Sequence, residues 1–253
     1  MTWSPSRRTA RAALIACLLS AAAHAQPAGA PTPAAIVADA SRPEADRALD
    51  GSRHPAELLQ LLKIKTGDTV ADVWPGDYWD RLFAAAVGPS GRVYAVHLAE
   101  ADAGEHKTPP PEGSKPLADH ANVIATIAHT NTFALPAKAD LIWMRQNYHD
   151  LYDPFVGPAD VRAFNKGVYN ALKPGGRFVV IDHSAPDGSK LEATNTTHRI
   201  DPAVVKADMA AAGFKFVGES DVLRNPADPR TKLVFDPSIR GKTDQFVYVF
   251  QRP

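Results

Sequence analysis

Cysteine is almost absent from this chain, whose 253 residues include only one, Cys17. Neither sign of charge is in excess, because 28 Lys and Arg residues balance 28 Asp and Glu residues. Binding to nucleic acid or to an anionic membrane relies on a basic excess, so the composition argues against both partners. Apolar residues make up 45% of the chain, which is typical of a single globular domain. The balanced charge favours a small molecule as the substrate.

A long apolar run is also missing, since the most apolar stretch, residues 12–23, is shorter than the ~20 residues of a spanning helix. Basic residues precede this run and a small-residue cleavage pattern follows it: Arg7, Arg8, Arg11 and Ala23-His24-Ala25. The pattern predicts a signal peptide over residues 1–25 and a periplasmic or secreted protein. A membrane anchor, lipidation at Cys17 and twin-arginine export are the alternatives. Cleavage would remove Cys17 and leave no thiol for a disulfide or a metal.

One domain is predicted over residues 44–253, after a Pro/Ala-rich lead at 26–43. Seven short apolar segments predict strands: 69–73, 92–98, 122–128, 140–145, 177–182, 214–217 and 245–251. Helical patterns separate most of them, which favours parallel crossovers and a doubly wound, Rossmann-like α/β sheet. No helix separates the last two strands, so the C-terminal strand is expected to be antiparallel.

Two segments lack a regular pattern. Residues 99–119 are polar and proline-rich, which predicts an insertion in place of a helix. Residues 221–244 form a long loop, and loops of that length are usually functional or mobile. The polar side chains of this loop either close over a substrate or tie the loop down, and we favour the second role: Arg224, Asn225, Asp228 and Arg230.

Three segments resemble successive landmarks of the class I S-adenosylmethionine-dependent methyltransferases: VADVWPGDYWDRLFAAAVGPSGRVYAV, DLIWMRQNYHDLY and ALKPGGRFVVIDHSA. A fourth, THRIDPAVVKADMAAAGFKFVGESDVLRNPADPRT, resembles a bacterial, often exported group labelled predicted methyltransferases. The resemblance covers the whole mature chain. It implies S-adenosylmethionine as cofactor and methyl transfer to a small molecule in the cell envelope.

In that family an acidic residue ends the first strand, and a glycine-rich turn then lets the backbone approach the methionyl part of the cofactor. Asp72 and Gly76 match this pattern. Trp74 stands at a glycine position of the general motif, and Asp77-Tyr78 replaces two glycines of the closer group. The resemblance implies cofactor contacts from Asp72, Trp74, Gly76 and Tyr78, in a turn that is more crowded than a glycine turn.

The family also places one carboxylate on the ribose hydroxyls and another on the adenine amino group. His97 and His129 align with these two positions, and they are assigned to the cofactor together with Asn147. A neutral imidazole accepts one hydrogen bond, whereas a carboxylate accepts several. Three nearby residues offer alternative partners, Glu100 or Asp102 for the ribose and Asn131 for the adenine.

Polar residues follow the strands 140–145 and 177–182, which the predicted topology makes neighbours at the crevice. We assign the catalytic site to these residues: Tyr148, His149, Asp182 and His183. His149 or His183 would act as general base, with Asp150 or Asp182 fixing the imidazole tautomer. Tyr148 would position substrate or cofactor.

Two alternatives remain open. The altered turn and the two replaced carboxylates favour a binding protein that has lost or exchanged the family's ligand, and an exported enzyme would need S-adenosylmethionine supplied from the cytosol. The polar residues after the two strands, with His198, would suit zinc, iron or manganese. Their spacing matches no metal-binding signature, so no metal ligand is assigned from the sequence.

Overall fold

Seven strands form one sheet in the computed structural model, which describes residues 1–2, 31–157 and 159–253. In chain order they are β1 (Thr69–Val73), β2 (Arg92–Leu98), β3 (Val123–Ala128), β4 (Ala139–Arg145), β5 (Leu172–His183), β6 (Lys215–Ser220) and β7 (Gln245–Gln251). Their spatial order is β3-β2-β1-β4-β5-β7-β6. The first five strands pair in parallel, and β7 is antiparallel to both β5 and β6. The predicted Rossmann-like sheet with an antiparallel C-terminal strand is confirmed.

The order of the strands fixes where a crevice opens. From β1 the chain moves outward to β2 and β3, then returns to β4 on the other side of β1. Ligands of such sheets bind outside the carboxyl ends of the strands at the point where the direction reverses. In this chain that point lies between β1 and β4.

The helices occupy both faces of the sheet. In chain order they are α1 (Pro33–Val37), α2 (Glu44–Arg47), α3 (Asp50–Arg53), α4 (Pro55–Leu62), α5 (Asp77–Val87), α6 (Ala99–Gly104), α7 (Val161–Ala171), α8 (Thr194–Thr197) and α9 (Pro202–Ala212). Short 3-10 helices span Thr130–Thr132, His149–Tyr152 and Pro154–Val156. The central strands are buried on both faces, which is why they read as nearly continuous apolar runs.

A separate apolar core packs on each face. One contains Phe164, Met209 and Phe246 from α7, α9 and β7. The other contains Phe83 of α5 and Trp143 of β4, whose rings meet edge to face with centroids 5.5 Å apart. Sandwiching the sheet between two cores holds the carboxyl ends of its strands in fixed positions.

A helix forms in two segments for which the sequence predicts none. Helix α6 occupies the start of the 99–119 segment, so the prediction that no helix forms there is wrong for these residues. Six residues that include Glu100 and Asp102 are too short and too polar to show helical periodicity. Within the 26–43 lead, α1 contacts α4 and α5 and buries Ile36.

The long loop 221–244 is held by ion pairs. Arg199 is fully buried and binds both carboxylate oxygens of Asp228, at 2.9 and 3.1 Å. Arg224 lies 2.9 Å from the buried carboxylate of Asp244. These contacts confirm that polar loop residues tie the loop down, and they fix its path beside the end of β5.

The predicted signal peptide falls outside the described residues apart from Met1 and Thr2. Among the helices of the described ranges, none has both the length and the apolar character required to cross a membrane.

Candidate active site

His149 and Asp182 form a buried pair at the ends of two adjacent strands. His149 begins the 3-10 helix after β4, and Asp182 lies near the end of β5. Nδ1 of His149 donates to Oδ1 of Asp182 (2.9 Å), and the backbone N–H of His149 donates to Oδ2 (2.8 Å). Because a carboxylate only accepts, Nδ1 carries a proton. Asp182 therefore fixes the orientation of the His149 ring with a proton on Nδ1, and it is one of the two carboxylates that the sequence predicts for this role.

The opposite ring nitrogen of His149 faces two further polar groups. Nε2 lies 3.2 Å from Oδ1 of Asp150 and 3.3 Å from Nδ1 of His198. His198 Nδ1 and Asp150 Oδ1 are 3.6 Å apart. Asn147 donates to the other oxygen of Asp150 (3.0 Å). We refer to His149, Asp150, Asp182 and His198 as the histidine cluster.

Charge in this cluster limits what His149 can do. Burial lowers the pKa of His149, but the neighbouring carboxylates of Asp182 and Asp150 outweigh it and raise the pKa to about 10. The same contacts hold the pKa of Asp150 far below its usual range, against the effect of burial. His149 is therefore a cation at neutral pH, and it can accept a proton only after the charge around it changes.

His183 differs from His149 in charge and in partners. Its Nδ1 is 2.7 Å from the hydroxyl of Thr243, and the two imidazole centroids are 6.2 Å apart. Burial, together with the positive charge of His149, lowers the pKa of His183 well below its usual value. His183 is thus a neutral imidazole beside the histidine cluster, and unlike the cationic His149 it can accept a hydrogen bond on a ring nitrogen.

His198 reaches the cluster because its backbone is held in an uncommon conformation. It caps the C-terminus of α8 with φ 52°, a left-handed value that costs free energy for a residue with a Cβ. The next residue, Arg199, is anchored by Asp228. The sequence suggests His198 as a further metal ligand, but nothing local in the sequence shows that residues 198 and 149 meet.

Tyr148 lies in the core and not in the cluster. It is fully buried, its hydroxyl donates to Asp208 (3.0 Å), and the amide of Asn165 donates to that hydroxyl (2.8 Å). These partners belong to α9 and α7. The placement does not support the role in positioning substrate or cofactor that the sequence suggested for Tyr148.

The turn after β1 combines a buried acid with an open backbone. Asp72 is buried, and one oxygen of its carboxylate has no hydrogen-bond partner in the described chain. Trp74 takes a left-handed φ of 66°, a conformation usual for the glycine that the family motif has there. A Cβ on Gly76 would meet no atom within 4 Å, so open space lies beside the N-terminus of α5.

Asp80 is a neighbour of Asp72 that no motif in the sequence indicates. The two carboxyl groups hydrogen-bond to each other, and burial raises the pKa of both. For Asp80, burial and the charge of Asp77 raise the pKa to about 8. The pair therefore keeps a proton at neutral pH. Asp80 could have been identified from its helical spacing, which turns its side chain inward beneath the turn after β1.

Tyr78 faces the N-terminal helices. Its hydroxyl donates to Asp50 (2.7 Å), and the guanidinium of Arg53 lies 4.3 Å from the centre of its ring. Asp50 also pairs with Arg42 at 2.7 Å. Tyr78 thus anchors α3 to α5, and these contacts do not support the predicted role for Tyr78 in cofactor binding.

His97 and His129, which align with the two carboxylates of the family, each have an acidic partner. At the end of β2, Nδ1 of His97 is 3.1 Å from Asp102. After β3, Nδ1 of the exposed His129 is 3.0 Å from Glu100, whose other oxygen accepts from the N–H and hydroxyl of Thr130. The side-chain oxygen of Asn131 accepts from Asp160 N–H (2.7 Å). Carboxylates are thus present at both positions, supplied by α6.

Comparisons with known proteins identify the fold. No protein-family model and no curated protein matches the sequence. A solved S-adenosylmethionine-dependent methyltransferase of Aquifex aeolicus matches 84% of this chain and 99% of its own, with 20% identity and TM-score 0.52. The N-methyltransferase NodS of Bradyrhizobium japonicum WM9 matches 82% and 98%, with 14% identity and TM-score 0.52. The chain has the class I methyltransferase fold.

In the methyltransferase fold, the residues of this chain fit the cofactor unequally. At the methionyl end, the unpartnered oxygen of Asp72 and the open face of Gly76 suit a cationic ligand lying against the turn. At the ribose end, Asp102 supplies a carboxylate that already binds His97. At the adenine end, Glu100 is occupied by Thr130 and His129. Of the three positions that the resemblance assigns to a cofactor, the turn after β1 is therefore the one with a buried acceptor that other residues leave unoccupied.

A separate cavity of about 650 Å³ lies at the other end of the sheet. It is lined by α1, by the outer face of α5 and by the loops that precede β2 and β3, including Arg81 and Asn122. No residue assigned from the sequence to cofactor or catalysis lines it. The cavity is thus distinct from the crevice at the carboxyl ends of the strands.

Proposed function

We propose that this protein transfers a methyl group from S-adenosylmethionine to a small molecule. The observation that carries the proposal is the turn after β1. There Asp72 presents a buried, unpartnered carboxyl oxygen beside the open face of Gly76. S-adenosylmethionine would supply an activated methyl group, which is attached to its positively charged sulfonium sulfur. A buried acid with an unsatisfied acceptor stabilises the positive charge at that end of such a ligand.

The acceptor would bind beside β4 and β5, where the histidine cluster and His183 lie. His183 is a neutral imidazole and could accept a hydrogen bond from a hydroxyl or amine acceptor and so orient it, whereas burial and the charge of His149 oppose full proton transfer to it. Methyl transfer relies mainly on alignment of the donor with the acceptor, so the rigidity of this cluster matters more than strong base catalysis. The balanced charge of the chain favours a small acceptor over a nucleic acid.

We also propose that the protein works in the cell envelope, after removal of residues 1–25. This part of the proposal is supported by the sequence alone, through the basic residues, the short apolar run and the Ala23-His24-Ala25 pattern. An envelope location would require S-adenosylmethionine to cross the inner membrane.

One observation favours the alternative of a binding protein with an exchanged ligand. The Trp74 ring packs edge to face against Phe155, with centroids 6.2 Å apart. Phe155 also contacts Gly104 of α6 so closely that a Cβ on Gly104 would lie 2.0 Å from the Phe155 carbonyl oxygen. The segments after β1, β2 and β4 thus meet over the expected cofactor path, and binding would need them to separate.

Calorimetric titration with S-adenosylmethionine and S-adenosylhomocysteine separates the two functions. We expect wild-type protein to bind both and Asp72→Ala to bind neither, because the variant lacks the buried carboxyl group. Asp72→Asn keeps the shape of the side chain and should also bind neither if the charge is required. His149→Ala should bind both, since His149 lies on the acceptor side.

Failure of wild-type protein to bind either compound would contradict methyl transfer and support the binding protein. Loss of binding in His149→Ala with normal binding in Asp72→Ala would reverse our assignment of the two sides of the crevice.

A further inference from the structure

We infer that the histidine cluster is a binding site for a divalent metal ion of the zinc type. The ligands would be Nε2 of His149, Oδ1 of Asp150 and Nδ1 of His198. These atoms come from two segments 49 residues apart and all lie within 4.8 Å of one another. The site does not depend on the proposed methyl transfer, because none of its ligands contacts the turn after β1.

The spacing of the three atoms suits four-coordinate geometry. Zinc binds imidazole nitrogen and carboxylate oxygen at about 2.1 Å, so tetrahedral ligands lie about 3.4 Å apart and octahedral neighbours about 3.0 Å apart. The distances in this chain are 3.2 Å from His149 to Asp150, 3.3 Å from His149 to His198 and 3.6 Å from His198 to Asp150. A metal ion at the common centre would therefore need little movement of its ligands.

Asp182 supplies the support that a metal-binding histidine usually has. Its two oxygens accept from Nδ1 and from the backbone N–H of His149, which leaves Nε2 directed at Asp150 and His198. Histidine ligands commonly donate their other ring N–H to a carboxylate in this way, and the carboxylate fixes the ring and raises its basicity. Asn147 orients Asp150 through its second oxygen in the same manner.

A further buried carboxylate points to a missing positive charge. Asp153 is 1% exposed, and neither of its oxygens has a hydrogen-bond partner in the described chain. Burial raises the pKa of Asp153, and the nearby Thr194 hydroxyl, which donates to Leu191 O, lowers it. Asp153 is close enough to interact electrostatically with His149, Asp150 and His198. Three carboxylates, Asp150, Asp153 and Asp182, thus surround two imidazoles, and a divalent cation would balance them.

The three ligands leave one position of a tetrahedron open. Catalytic zinc sites have this composition, with a water molecule or a substrate oxygen in the fourth position. His198 is the ligand that reaches the surface, where its ring packs against the exposed Phe235 with centroids 5.2 Å apart. We infer that the ligand of the fourth position is an oxygen-bearing small molecule or water.

The test is titration of EDTA-treated, dialysed protein with Zn²⁺ and with Co²⁺. We expect one ion per chain and, with Co²⁺, the visible absorption of a four-coordinate complex. His198→Ala should lower the affinity by roughly 100-fold or more, and Asp182→Asn by about 10- to 100-fold. His120→Ala, a substitution at the other end of the sheet, should leave the affinity unchanged.

Circular dichroism and thermal unfolding would show whether each variant folds, and His198→Ala is the decisive one because this side chain is partly exposed. Equal affinity of wild-type and His198→Ala protein for Zn²⁺ would overturn the proposal. So would the absence of bound metal, which would mean that only a proton is shared between His149 and Asp150. Calorimetry with S-adenosylhomocysteine in excess EDTA tests the methyltransferase proposal separately.

Discussion

The two sides of the crevice differ in how their polar groups are used. On the side of β4 and β5, every member of the histidine cluster contacts another member, and Asp182 and Arg199 hold the arrangement from behind. On the side of β1 to β3, the polar groups are bound locally: Asp72 to Asp80, His97 to Asp102 and His129 to Glu100. The first arrangement directs three side chains toward one common point, whereas the second uses its polar groups in separate local pairs.

The comparison teaches that one edge of a sheet can hold one set of polar groups around a common point and another set in separate pairs. Trp74, which stands at a glycine position of the motif, takes the left-handed conformation that is usual for glycine. Arg145, at the end of β4, is close enough to Asp72 and Asp182 to interact electrostatically with both. The charges of the two sides are therefore coupled.

The largest expected effect concerns the anchor behind the histidine cluster. Arg199→Ala should destabilise the protein by about 3–5 kcal/mol, because it leaves the carboxylate of Asp228 buried without its partner. Denaturant unfolding monitored by fluorescence measures this. Asp187→Ala, which removes a surface partner of Arg230, is the control and should cost about 1 kcal/mol or less. Similar losses of stability in Arg199→Ala and Asp187→Ala would show that the buried ion pair contributes no more to stability than a surface ion pair.

On the other side, the buried acids should make stability depend on pH. The pKa of Asp80 is about 8 in the folded protein, so between pH 4 and pH 8 the folded state holds a proton that the unfolded state has released. Stability must therefore fall as pH rises through this window, by at most about 1.4 kcal/mol per pH unit for this group, and level off above pH 8. Asp80→Asn should make the dependence of stability on pH shallower. Denaturant unfolding measured from pH 5 to pH 9 tests this. An unchanged dependence in the variant would show that Asp80 is not protonated in the folded protein.

Replacing Trp74 tests whether the crowded turn obstructs the cofactor. Trp74→Gly removes the strain of a left-handed conformation, which should stabilise the protein by about 1–2 kcal/mol. It also removes the ring contact with Phe155, which should destabilise the protein by about 0.5–1.5 kcal/mol. The free energy of unfolding should thus change little. Affinity for S-adenosylhomocysteine should rise about fivefold, equivalent to about 1 kcal/mol. A fall in affinity would show that the Trp74 ring contacts the ligand, as the sequence predicted.

The smallest effect is expected at Tyr78. Tyr78→Phe removes one hydrogen bond to Asp50 and should cost about 1 kcal/mol of stability. Affinity for S-adenosylhomocysteine should stay the same, because the hydroxyl faces α3. Reduced affinity for S-adenosylhomocysteine with unchanged stability would support the predicted role of Tyr78 in cofactor binding.

The sheet could be predicted from the sequence because the apolar strand segments and the separating helical patterns are local signals. The pairing of His149 with Asp182 could also be predicted, since neighbouring parallel strands end at the same edge. The meeting of His198 with His149 could not, because it depends on Arg199 and on the path of a loop without periodicity. Tyr148 and Tyr78 were assigned to the site from their positions in the motifs, but the side-chain directions that carry them into the core are set by packing.

A crystal structure of the protein with S-adenosylhomocysteine tests the central claim most directly. We expect the amino-acid part of the ligand against Asp72 and Gly76, with its adenosine along the ends of β2 and β3 and its sulfur facing the histidine cluster. Trp74 and Phe155 would then have moved apart. Ligand bound only in the cavity beside α1, or a crevice left unchanged at saturating ligand, would contradict the assignment of this crevice to methyl transfer.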